Sequence, residues 1–455
     1  MPPKFGTSGL RGLVTELTPD LVADHVRAFA AACDTGTGLY VGRDLRPSSP
    51  DLAETVLTTA RSAGLDVTDC GAVPTPALAF AAMQAGAAAI MITGSHIPAD
   101  RNGIKFYTPS GEITKAQEQA ILAALGRTPA GQGTRTTRTD VAALYADRYR
   151  TGFDGTLKGL RIGIYQHSTV IRDLMTDLIG GLGAEAVPLG RSDTFIPVDT
   201  EAVDAATRAQ IADWTRRHSL DALISADGDA DRPLLADADG DVVPGDILGP
   251  LTAAALGAER IVTPVSSNTM AQLSGRFAEV SLTRIGSPYV IARMEELGGN
   301  VAGYEANGGF LLGFAAQAPT GPLPPLMTRD CLLPILAPLA EARRRGGSLK
   351  DLIADWPARR TASDRLQNVP TEASKALIAH LSDDPSAFLA PLGQAAATNR
   401  TDGLRITLTD GRILHLRPSG NAPELRCYAE ADTTEAAAAL RDAALKLAQE
   451  ALDAT

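Results

Sequence analysis

The stretch Ala87-Ala-Ala-Ile-Met-Ile-Thr-Gly-Ser-His-Ile-Pro98 carries the pattern that decides the fold of this 455-residue chain. An apolar run up to Thr93 reads as a buried strand, and a polar turn with a glycine follows it. Upstream, helices predicted at residues 20–32, 50–60 and 76–85 alternate with strands predicted at residues 38–42 and 66–70. Such alternation predicts a parallel sheet with crossover helices.

The same alternation returns twice, with strands predicted at residues 160–165, 184–189, 222–225, 261–265, 280–284 and 300–304. The last segment differs, because alternating residues 404–409 meet an Asp-Gly turn, and Asp432-x-x-Glu435 forms a capping box before a long helix. We predict an α/β chain of three consecutive α/β domains with mixed, mainly parallel sheets, plus a C-terminal α+β domain with an antiparallel sheet. The predicted domains are residues 1–150, 151–255, 256–365 and 366–455.

Composition narrows the class of function. Aromatic residues make up only 4% of the chain, which argues against nucleic-acid binding by base stacking, and the net charge of −11 disfavours general polyanion binding. The sequence has no run of 18 apolar residues, so no membrane span is predicted. It has no apolar leader near its start, so no signal peptide is predicted. Four cysteines without a CxxC pair are expected to be reduced thiols of a cytoplasmic protein.

The turn after the strand at residues 87–93 contains a candidate nucleophile. The Ser95 hydroxyl just past a strand end is well placed for covalent phosphoryl transfer. His96 could accept a proton, and Lys105 could supply positive charge for a phosphate group. The alternative is that Ser95 merely caps a helix.

A candidate metal site follows the strand at residues 222–225, in the sequence Asp227-Gly-Asp-Ala-Asp-Arg232. Carboxylates at alternating positions among small residues suit a hard divalent cation. An EF-hand is excluded because its twelfth position is Ala238, so Mg²⁺ fits better. The alternative is a solvated acidic turn, of which residues 237–241 are a nearby example.

Two other glycine-containing segments offer polar groups to a small ligand. Glu305 and Asn307, in the loop at residues 303–309, could hydrogen-bond sugar hydroxyls, although the loop could also be an ordinary turn. Near the N-terminus, Thr7, Ser8 and Arg11 could contact an anion, unless the terminus is simply flexible.

The segment at residues 417–426 is a candidate phosphate cradle. It offers two guanidinium groups, a hydroxyl, an amide and a backbone N–H, from Arg417, Arg426, Ser419, Asn421 and Gly420. It lacks the GxxxxGK pattern of a P-loop, and the alternative is a surface loop with a charged rim.

Taken together, the N-terminal segment, the serine turn, the aspartate turn, the loop at residues 303–309 and the cradle resemble the α-D-phosphohexomutase family. This family includes phosphomannomutases, phosphoglucomutases and phosphoglucosamine mutases. The likeness spans residues 4–430. It implies a four-domain enzyme with a central cleft, which uses Mg²⁺ to act on a small-molecule hexose phosphate, with a hexose 1,6-bisphosphate as activator. The chain is expected to act as a monomer or dimer, without nucleic-acid or membrane partners.

The resemblance also implies residue roles. Ser95 would carry the phosphate and, with Asp227, Asp229 and Asp231, hold the metal. The remaining residues of the catalytic centre would be Arg11, His96, Lys105 and Arg232. Glu305 and Asn307 would bind sugar hydroxyls, and the cradle at residues 417–426 would hold the phosphate that does not react.

This chain departs from the common family patterns at several positions. Gly94 and Ile97 replace the usual Ala and Asn beside the serine, Asn307 replaces a Ser, and Gly309 stands where His is frequent. Ser8 is more typical of phosphomannomutases than of phosphoglucosamine mutases. We therefore expect a phosphomannomutase, with phosphoglucomutase or phosphoglucosamine mutase as alternatives.

Two hypotheses from other classes remain. A sugar phosphatase could use the same serine and metal, but it would not need the second phosphate site at residues 417–426. A silent sugar-phosphate binding protein would be expected to lack Ser95 or the three aspartates, and this chain has all four.

Overall fold

The computed structural model describes residues 3–6, 9–419 and 423–453. The chain divides into two compact units: residues Met1–Ile261 with Gly286–Ile353, and residues Val262–Ile285 with Ala354–Thr455. Four of the predicted site residues, Thr7, Ser8, Gly420 and Asn421, lie outside the described residues.

The described residues form mixed α/β structure. The strands are β1 Lys4–Phe5, β2 Leu10–Leu13, β3 Leu39–Arg43, β4 Val67–Ala72, β5 Ala88–Ile92, β6 Arg101–Thr108, β7 Gly111–Glu112, β8 Arg135–Thr137, β9 Arg161–His167, β10 Glu185–Arg191, β11 Ala222–Ala226, β12 Pro233–Ala236, β13 Arg260–Pro264, β14 Glu279–Thr283, β15 Val301–Tyr304, β16 Phe310–Leu312, β17 Ala316–Gln317, β18 Pro322–Leu323, β19 Leu326–Asp330, β20 Arg360–Gln367, β21 Ala395–Asn399, β22 Leu404–Leu408, β23 Ile413–Pro418 and β24 Glu424–Ala431. The helices are α1 Pro19–Ala32, α2 Ser49–Ser62, α3 Thr75–Gln84, α4 Lys115–Ala123, α5 Val141–Phe153, α6 Arg172–Gly181, α7 Ala205–His218, α8 Gly245–Ala255, α9 Met270–Leu273, α10 Ser287–Leu297, α11 Leu333–Arg344, α12 Leu349–Ala354, α13 Thr371–Asp383, α14 Ser386–Leu389 and α15 Thr434–Asp453.

The first sheet of the first unit has the order β1-β2-β6-β5-β3-β4-β8, with β7 paired to β6. Strands β3, β4 and β5 run parallel, as predicted from the alternation of helices and strands, and β8, which was not predicted, pairs parallel with β4. Apolar faces of α1 and α2 pack on this sheet, with Val26, Phe29 and Val56 among the fully buried residues. The strand at residues 87–93 is confirmed as β5, which is buried along its whole length.

Strand β6 was not predicted. It runs antiparallel to both β5 and β2 and is buried from Asn102 to Thr108. Two polar residues, Asn102 and Lys105, interrupt the apolar pattern from which a buried strand would be predicted. They tolerate burial because each hydrogen-bonds to polar side chains of other segments.

Two further sheets present loops with polar residues. Strands β10, β9 and β11 are parallel neighbours, and β12 pairs antiparallel with β11. Strands β15, β16 and β19 form antiparallel pairs. Strands β5, β11 and β15 each end at one of the polar turns that the sequence singled out.

The second unit contains the predicted antiparallel sheet, with the order β20-β24-β23-β22-β21. Helices α13 and α15 supply apolar residues to its core. The predicted capping box is wrong, because Thr433 Oγ1 accepts the hydrogen bond from Ala436 N at the start of α15. Asp432 instead lies 2.8 Å from Arg359 Nη1. Among the described residues, none of the helices has the length and apolar character needed to span a membrane.

Candidate active site

Ser95 lies in the turn that follows β5, and its side chain is completely buried. Ser95 Oγ donates to Asp227 Oδ2 at 2.5 Å. The backbone φ of Ser95 is +55°, a left-handed conformation that side chains rarely adopt, and Thr93 Oγ1 stabilises it by accepting from Ser95 N at 2.8 Å. No helix begins between residues 93 and 101, all of which the structure describes, so the helix-cap alternative is wrong.

Arg46 binds the backbone of the serine turn, residues 94–101. Its guanidinium donates four hydrogen bonds to backbone oxygens, those of Ser95 at 2.9 Å, Ile97 at 2.6 Å, Pro98 at 2.7 Å and Arg101 at 2.9 Å. Arg46 Nε pairs with Asp44 Oδ2 at 3.2 Å, and the guanidinium lies 4.1 Å from the centre of the Phe195 ring. Sequence reasoning missed this residue, although a charged Asp-x-Arg pattern directly after strand β3 is a usable signal.

Gly94 is explained by the same arginine. A Cβ at Gly94 would lie 2.6 Å from Arg46 Cζ and 2.8 Å from its Nε and Nη2. The guanidinium has little freedom to move away, because its hydrogen bonds are made to several fixed backbone oxygens. The departure from the common family pattern at this position therefore follows from close packing beneath the serine turn.

Arg46→Lys is expected to lower turnover by about tenfold or more, because a single ammonium cannot replace the fork of donors that positions Ser95. The measurement is kcat, with a thermal melt to check folding. Arg150→Lys is the matched control, since Arg150 is exposed on α5 and forms an ion pair with its neighbour Asp147 on the same helix. Unchanged kcat in a folded Arg46→Lys variant would contradict the positioning role.

The turn between β11 and β12 contains three carboxylates. Asp227, Asp229 and Asp231 are all fully buried, and their carboxylate oxygens lie within 4.8 Å of one another. Burial, and then the charges of Asp229 and Asp231, raise the pKa of Asp227 well above its usual range. Such crowding of buried negative charge is unfavourable unless cations share the site.

Two oxygens of this cluster fit a metal ion. Asp229 Oδ1 and Asp231 Oδ1 are buried, and neither has a hydrogen-bond partner among the described residues. Carboxylate oxygens are the ligands that hard divalent cations prefer. The three aspartates therefore form a group that could hold a metal, adjacent to the Ser95 hydroxyl.

Lys105, on β6, lies among these carboxylates. Its Nζ is 2.6 Å from Asp229 Oδ2 and 2.5 Å from Asp231 Oδ2. The structure thus brings Lys105 into the site, but its ammonium contacts the aspartates. Although burial favours the neutral form of Asp231, the charges of Arg329, Lys105 and Arg232 hold the pKa of Asp231 below its usual range.

The His96 ring lies beside both Ser95 and Arg232. Arg232 Nη1 donates to His96 Nδ1 at 3.0 Å, and Ser95 Oγ is 3.2 Å from the same nitrogen. Burial, and then the charges of Arg232 and Arg11, lower the pKa of His96 far below its usual range. We infer a neutral ring with its proton on Nε2, because Nδ1 accepts the arginine hydrogen bond.

Arg11 adds a further positive charge from β2. Its Nε is buried and has no hydrogen-bond partner within the part of the chain that the structure describes. Burial, and then the charges of Arg232 and Arg329, lower the pKa of Arg11 to about 10, against the opposing influence of Asp229 and Asp231. The guanidinium remains charged at neutral pH and is suited to binding a phosphate group.

The turn between β15 and β16 contains the predicted sugar-binding pair. Glu305 is buried, and its Oε2 lies 3.5 Å from Arg329 Nη1. Asn307 Oδ1 accepts from Gly309 N at 3.0 Å, so this oxygen is already used within the turn. The amide nitrogen of Asn307 could also donate a hydrogen bond to a ligand hydroxyl.

Arg329, at the end of β19, is a second residue that sequence reasoning missed. Its Nη2 lies 2.8 Å from Asp231 Oδ2, and the side chain is only 3% exposed. A Cβ at Gly309 would lie 2.9 Å from Arg329 Cγ and Cδ, which explains why glycine stands at that position here. The signal available in the sequence was a charged Arg-Asp pair at the end of a strand-like segment.

The predicted phosphate cradle belongs to the second unit. Arg417 on β23 and Arg426 on β24 are directly opposite each other, so the two side chains share one face of the sheet. Ser419 is buried immediately after β23. Each arginine lies at ion-pair distance from a carboxylate, with Arg417 Nε 3.6 Å from Asp402 Oδ2 and Arg426 Nη2 3.6 Å from Glu424 Oε2. Two arginines on one face are suited to binding an anion.

Three family models match the chain. The model described as phosphoglucomutase/phosphomannomutase α/β/α domain I matches residues 2–130, that of α/β/α domain III matches residues 244–359, and that of the C-terminal domain matches residues 366–447. Together these matches cover most of the sequence.

Full-length relatives carry related names. A phosphomannomutase of Sinorhizobium fredii is 46% identical, with 96% of this chain and 97% of the relative covered. A phosphomannomutase of Salmonella muenchen is 44% identical, with 95% and 92% covered. A phosphoglucosamine mutase of Rhodococcus opacus is 31% identical, with 96% and 97% covered.

Solved structures share the fold. A phosphoglucomutase/phosphomannomutase family protein of Burkholderia thailandensis superposes with a TM-score of 0.79 at 24% identity, with 98% of this chain and 97% of the other covered. Parafusin, a phosphoglucomutase of Paramecium, superposes with a TM-score of 0.72 at 14% identity, with 99% and 96% covered.

Proposed function

Because the chain belongs to the phosphoglucomutase and phosphomannomutase family, the α-D-phosphohexomutases, we propose that it interconverts hexose 1-phosphates and hexose 6-phosphates through a phosphorylated Ser95. The observation that carries this proposal is the Ser95 hydroxyl, 2.5 Å from Asp227 within a cluster of three buried carboxylates. A buried nucleophile beside a candidate metal site is the arrangement that covalent phosphoryl transfer requires.

Mannose phosphate is the proposed substrate. The relatives at 46% and 44% identity are phosphomannomutases, whereas the phosphoglucosamine mutase is at 31% identity. Glucose and glucosamine phosphates are the alternatives. A phosphatase is less favoured, because two arginines on one face of the second unit, Arg417 and Arg426, offer a place for a second phosphate.

In the proposed reaction, a free sugar hydroxyl attacks the phosphorus carried by Ser95. The new sugar O–P bond forms as the bond from phosphorus to Ser95 Oγ breaks. We propose that His96 relays the sugar hydroxyl proton through Nδ1 to the departing Ser95 Oγ, which lies 3.2 Å from that nitrogen, once Arg232 has turned its hydrogen bond from Nδ1 to the transferring phosphoryl group. Arg11 and Arg232 contribute positive charge near the transferring group. When bound by Asp227, Asp229, Asp231 and the phosphoserine, Mg²⁺ would neutralise charge on that group.

The product of this first step is a bisphosphorylated sugar, which returns its other phosphate to Ser95 after turning over. A hexose 1,6-bisphosphate is accordingly the proposed activator, because it can rephosphorylate an enzyme that has lost its phosphate. By family membership we assign sugar hydroxyls to Glu305 and Asn307, and the phosphate that does not react to the cradle at residues 417–426. Thr7 and Ser8 are proposed to bind the substrate.

We also retain the four-domain division at residues 1–150, 151–255, 256–365 and 366–455 as a proposal. A cytoplasmic enzyme, active as a monomer or dimer, is proposed with it, since the four cysteines are free thiols.

Purified enzyme with Mg²⁺ and a catalytic amount of hexose 1,6-bisphosphate is expected to convert mannose 1-phosphate faster than glucose or glucosamine 1-phosphate. The measurement is kcat/KM for each sugar by coupled assay, together with released inorganic phosphate. Faster conversion of another hexose would reassign the substrate. Stoichiometric phosphate release without isomerisation would replace the mutase by the phosphatase alternative.

A further inference from the structure

The guanidinium of Arg329 faces carboxylates from three separate segments. Its Nη2 is 2.8 Å from Asp231 Oδ2, its Nη1 is 3.5 Å from Glu305 Oε2, and its Nε is 3.5 Å from Glu112 Oε1. Asp231 belongs to the turn with the three aspartates, Glu305 to the turn after β15, and Glu112 to β7. A planar fork of donors is the side chain best able to contact several carboxylates in fixed directions.

Two features hold this guanidinium in place. Gly309 leaves the space that the aliphatic part of Arg329 fills, since any Cβ there would lie 2.9 Å from Arg329 Cγ and Cδ. The backbone is anchored through the next residue, because the buried Asp330 accepts hydrogen bonds from the hydroxyls of Tyr145 and Tyr149 on α5. Arg329 thus has little conformational freedom and can act as a rigid support.

We propose that Arg329 is a positioning residue that holds the carboxylate of Glu305 at a fixed place beside Asp231. Glu305 then orients the bound sugar so that its hydroxyl faces the reacting phosphoryl group. This inference rests on the proposed function, because it assigns Glu305 to the sugar. Arg329 acts through Glu305 and does not contact the sugar itself. Glu112 gives a contrast, since it faces the same guanidinium but hydrogen-bonds to Ser287 and Thr328.

The test is a pair of double-mutant cycles with mannose 1-phosphate as the probe. Arg329→Lys keeps a positive charge but loses the fork, and it is combined with Glu305→Gln in one cycle and with Glu112→Gln in the other. Dissociation constants are measured by calorimetry in a Ser95→Ala background, where no turnover interferes. Arg329→Met with Glu305→Gln serves as a second pair, and thermal melts confirm folding of every variant.

Arg329→Lys is expected to weaken binding about tenfold, and the double variant with Glu305→Gln to be little worse than Glu305→Gln alone. The cycle with Glu112→Gln is expected to be additive for sugar binding. Additive effects in the Glu305 cycle, or equal coupling in both cycles, would overturn the positioning role, because a merely structural arginine affects both alike.

Mutase turnover, measured separately with Ser95 intact, distinguishes the two proposals. Coupling in the Glu305 cycle without isomerisation would leave the role of Arg329 standing and remove the mutase assignment. Isomerisation together with additive effects in the Glu305 cycle would keep the mutase assignment and remove the role of Arg329. Failure of folded Ser95→Ala protein to bind mannose 1-phosphate, glucose 1-phosphate or glucosamine 1-phosphate, together with no isomerisation by the enzyme with Ser95 intact, would overturn both.

Discussion

Ser95→Ala is expected to lower mutase turnover by at least about a thousandfold, which corresponds to about 4 kcal/mol of transition-state stabilisation. The hydroxyl oxygen of Ser95 is the atom that forms the bond to phosphorus. It lies 2.5 Å from Asp227 Oδ2, beside the candidate metal site. Arg46 holds the turn that carries this hydroxyl through hydrogen bonds to the backbone oxygens of Ser95 and Ile97. The measurement is kcat for mannose 1-phosphate in a coupled assay.

Two further readouts sharpen this prediction. Intact mass should show covalent phosphate on the wild-type protein after incubation with hexose 1,6-bisphosphate, and none on Ser95→Ala. Ser374→Ala is the matched control, since Ser374 is also a buried serine but lies on α13 of the second unit. We expect the control to retain turnover. Near-wild-type kcat in Ser95→Ala would disprove the phosphoserine mechanism.

Asp229→Asn is expected to lower turnover by at least about a hundredfold and to weaken Mg²⁺ binding by a similar factor. The amide keeps the shape of the side chain but removes one of three negative charges that converge within 4.8 Å. Calorimetric titration of chelator-treated protein with Mg²⁺ measures the binding directly, and adding Mg²⁺ to the chelated wild-type enzyme should restore its activity.

The chain provides a matched control for this substitution. Asp237, Asp239 and Asp241 repeat the spacing of the metal turn, but Asp239 and Asp241 are exposed, and Asp237 Oδ1 accepts hydrogen bonds from their backbone N–H groups. Asp239→Asn is therefore expected to change neither turnover nor Mg²⁺ affinity. If the two variants behaved alike, or if chelation left the wild-type rate unchanged, the metal assignment would be wrong.

The contrast between the two aspartate clusters shows what sequence spacing can decide. Both have carboxylates at alternating positions, and only the first follows the end of a predicted parallel strand. Because strand ends are where open α/β sheets bind ligands, this placement was enough to prefer residues 227–231 as the metal site. The structure adds the physical difference, since burial leaves oxygens of Asp229 and Asp231 without hydrogen-bond partners among the described residues.

Arg46 and Arg329 illustrate why other parts of the site stayed hidden. Arg46 binds backbone oxygens 49 to 55 positions away, and Arg329 contacts Asp231 of the turn between β11 and β12. The local Asp-x-Arg and Arg-Asp patterns place a charge at a strand end, but they do not show that the charged side chain is buried. The glycines at positions 94 and 309 were visible as departures from the family pattern. Their cause became clear only when the two arginine side chains were seen to occupy the space beside them.

The sequence by itself determined the α/β architecture, the antiparallel C-terminal sheet and the placement of Ser95 and the three aspartates at strand ends. These features depend on local periodicity and on turn residues, which a chain carries wherever it folds. The tertiary structure alone decided that Lys105 lies on a buried strand against the aspartates, that Arg46 supports the serine turn, and that Arg329 joins Asp231 to Glu305. In each arrangement a buried charged side chain is stabilised by partners from distant segments. Those partners come within hydrogen-bonding or ion-pair distance only when the chain is folded.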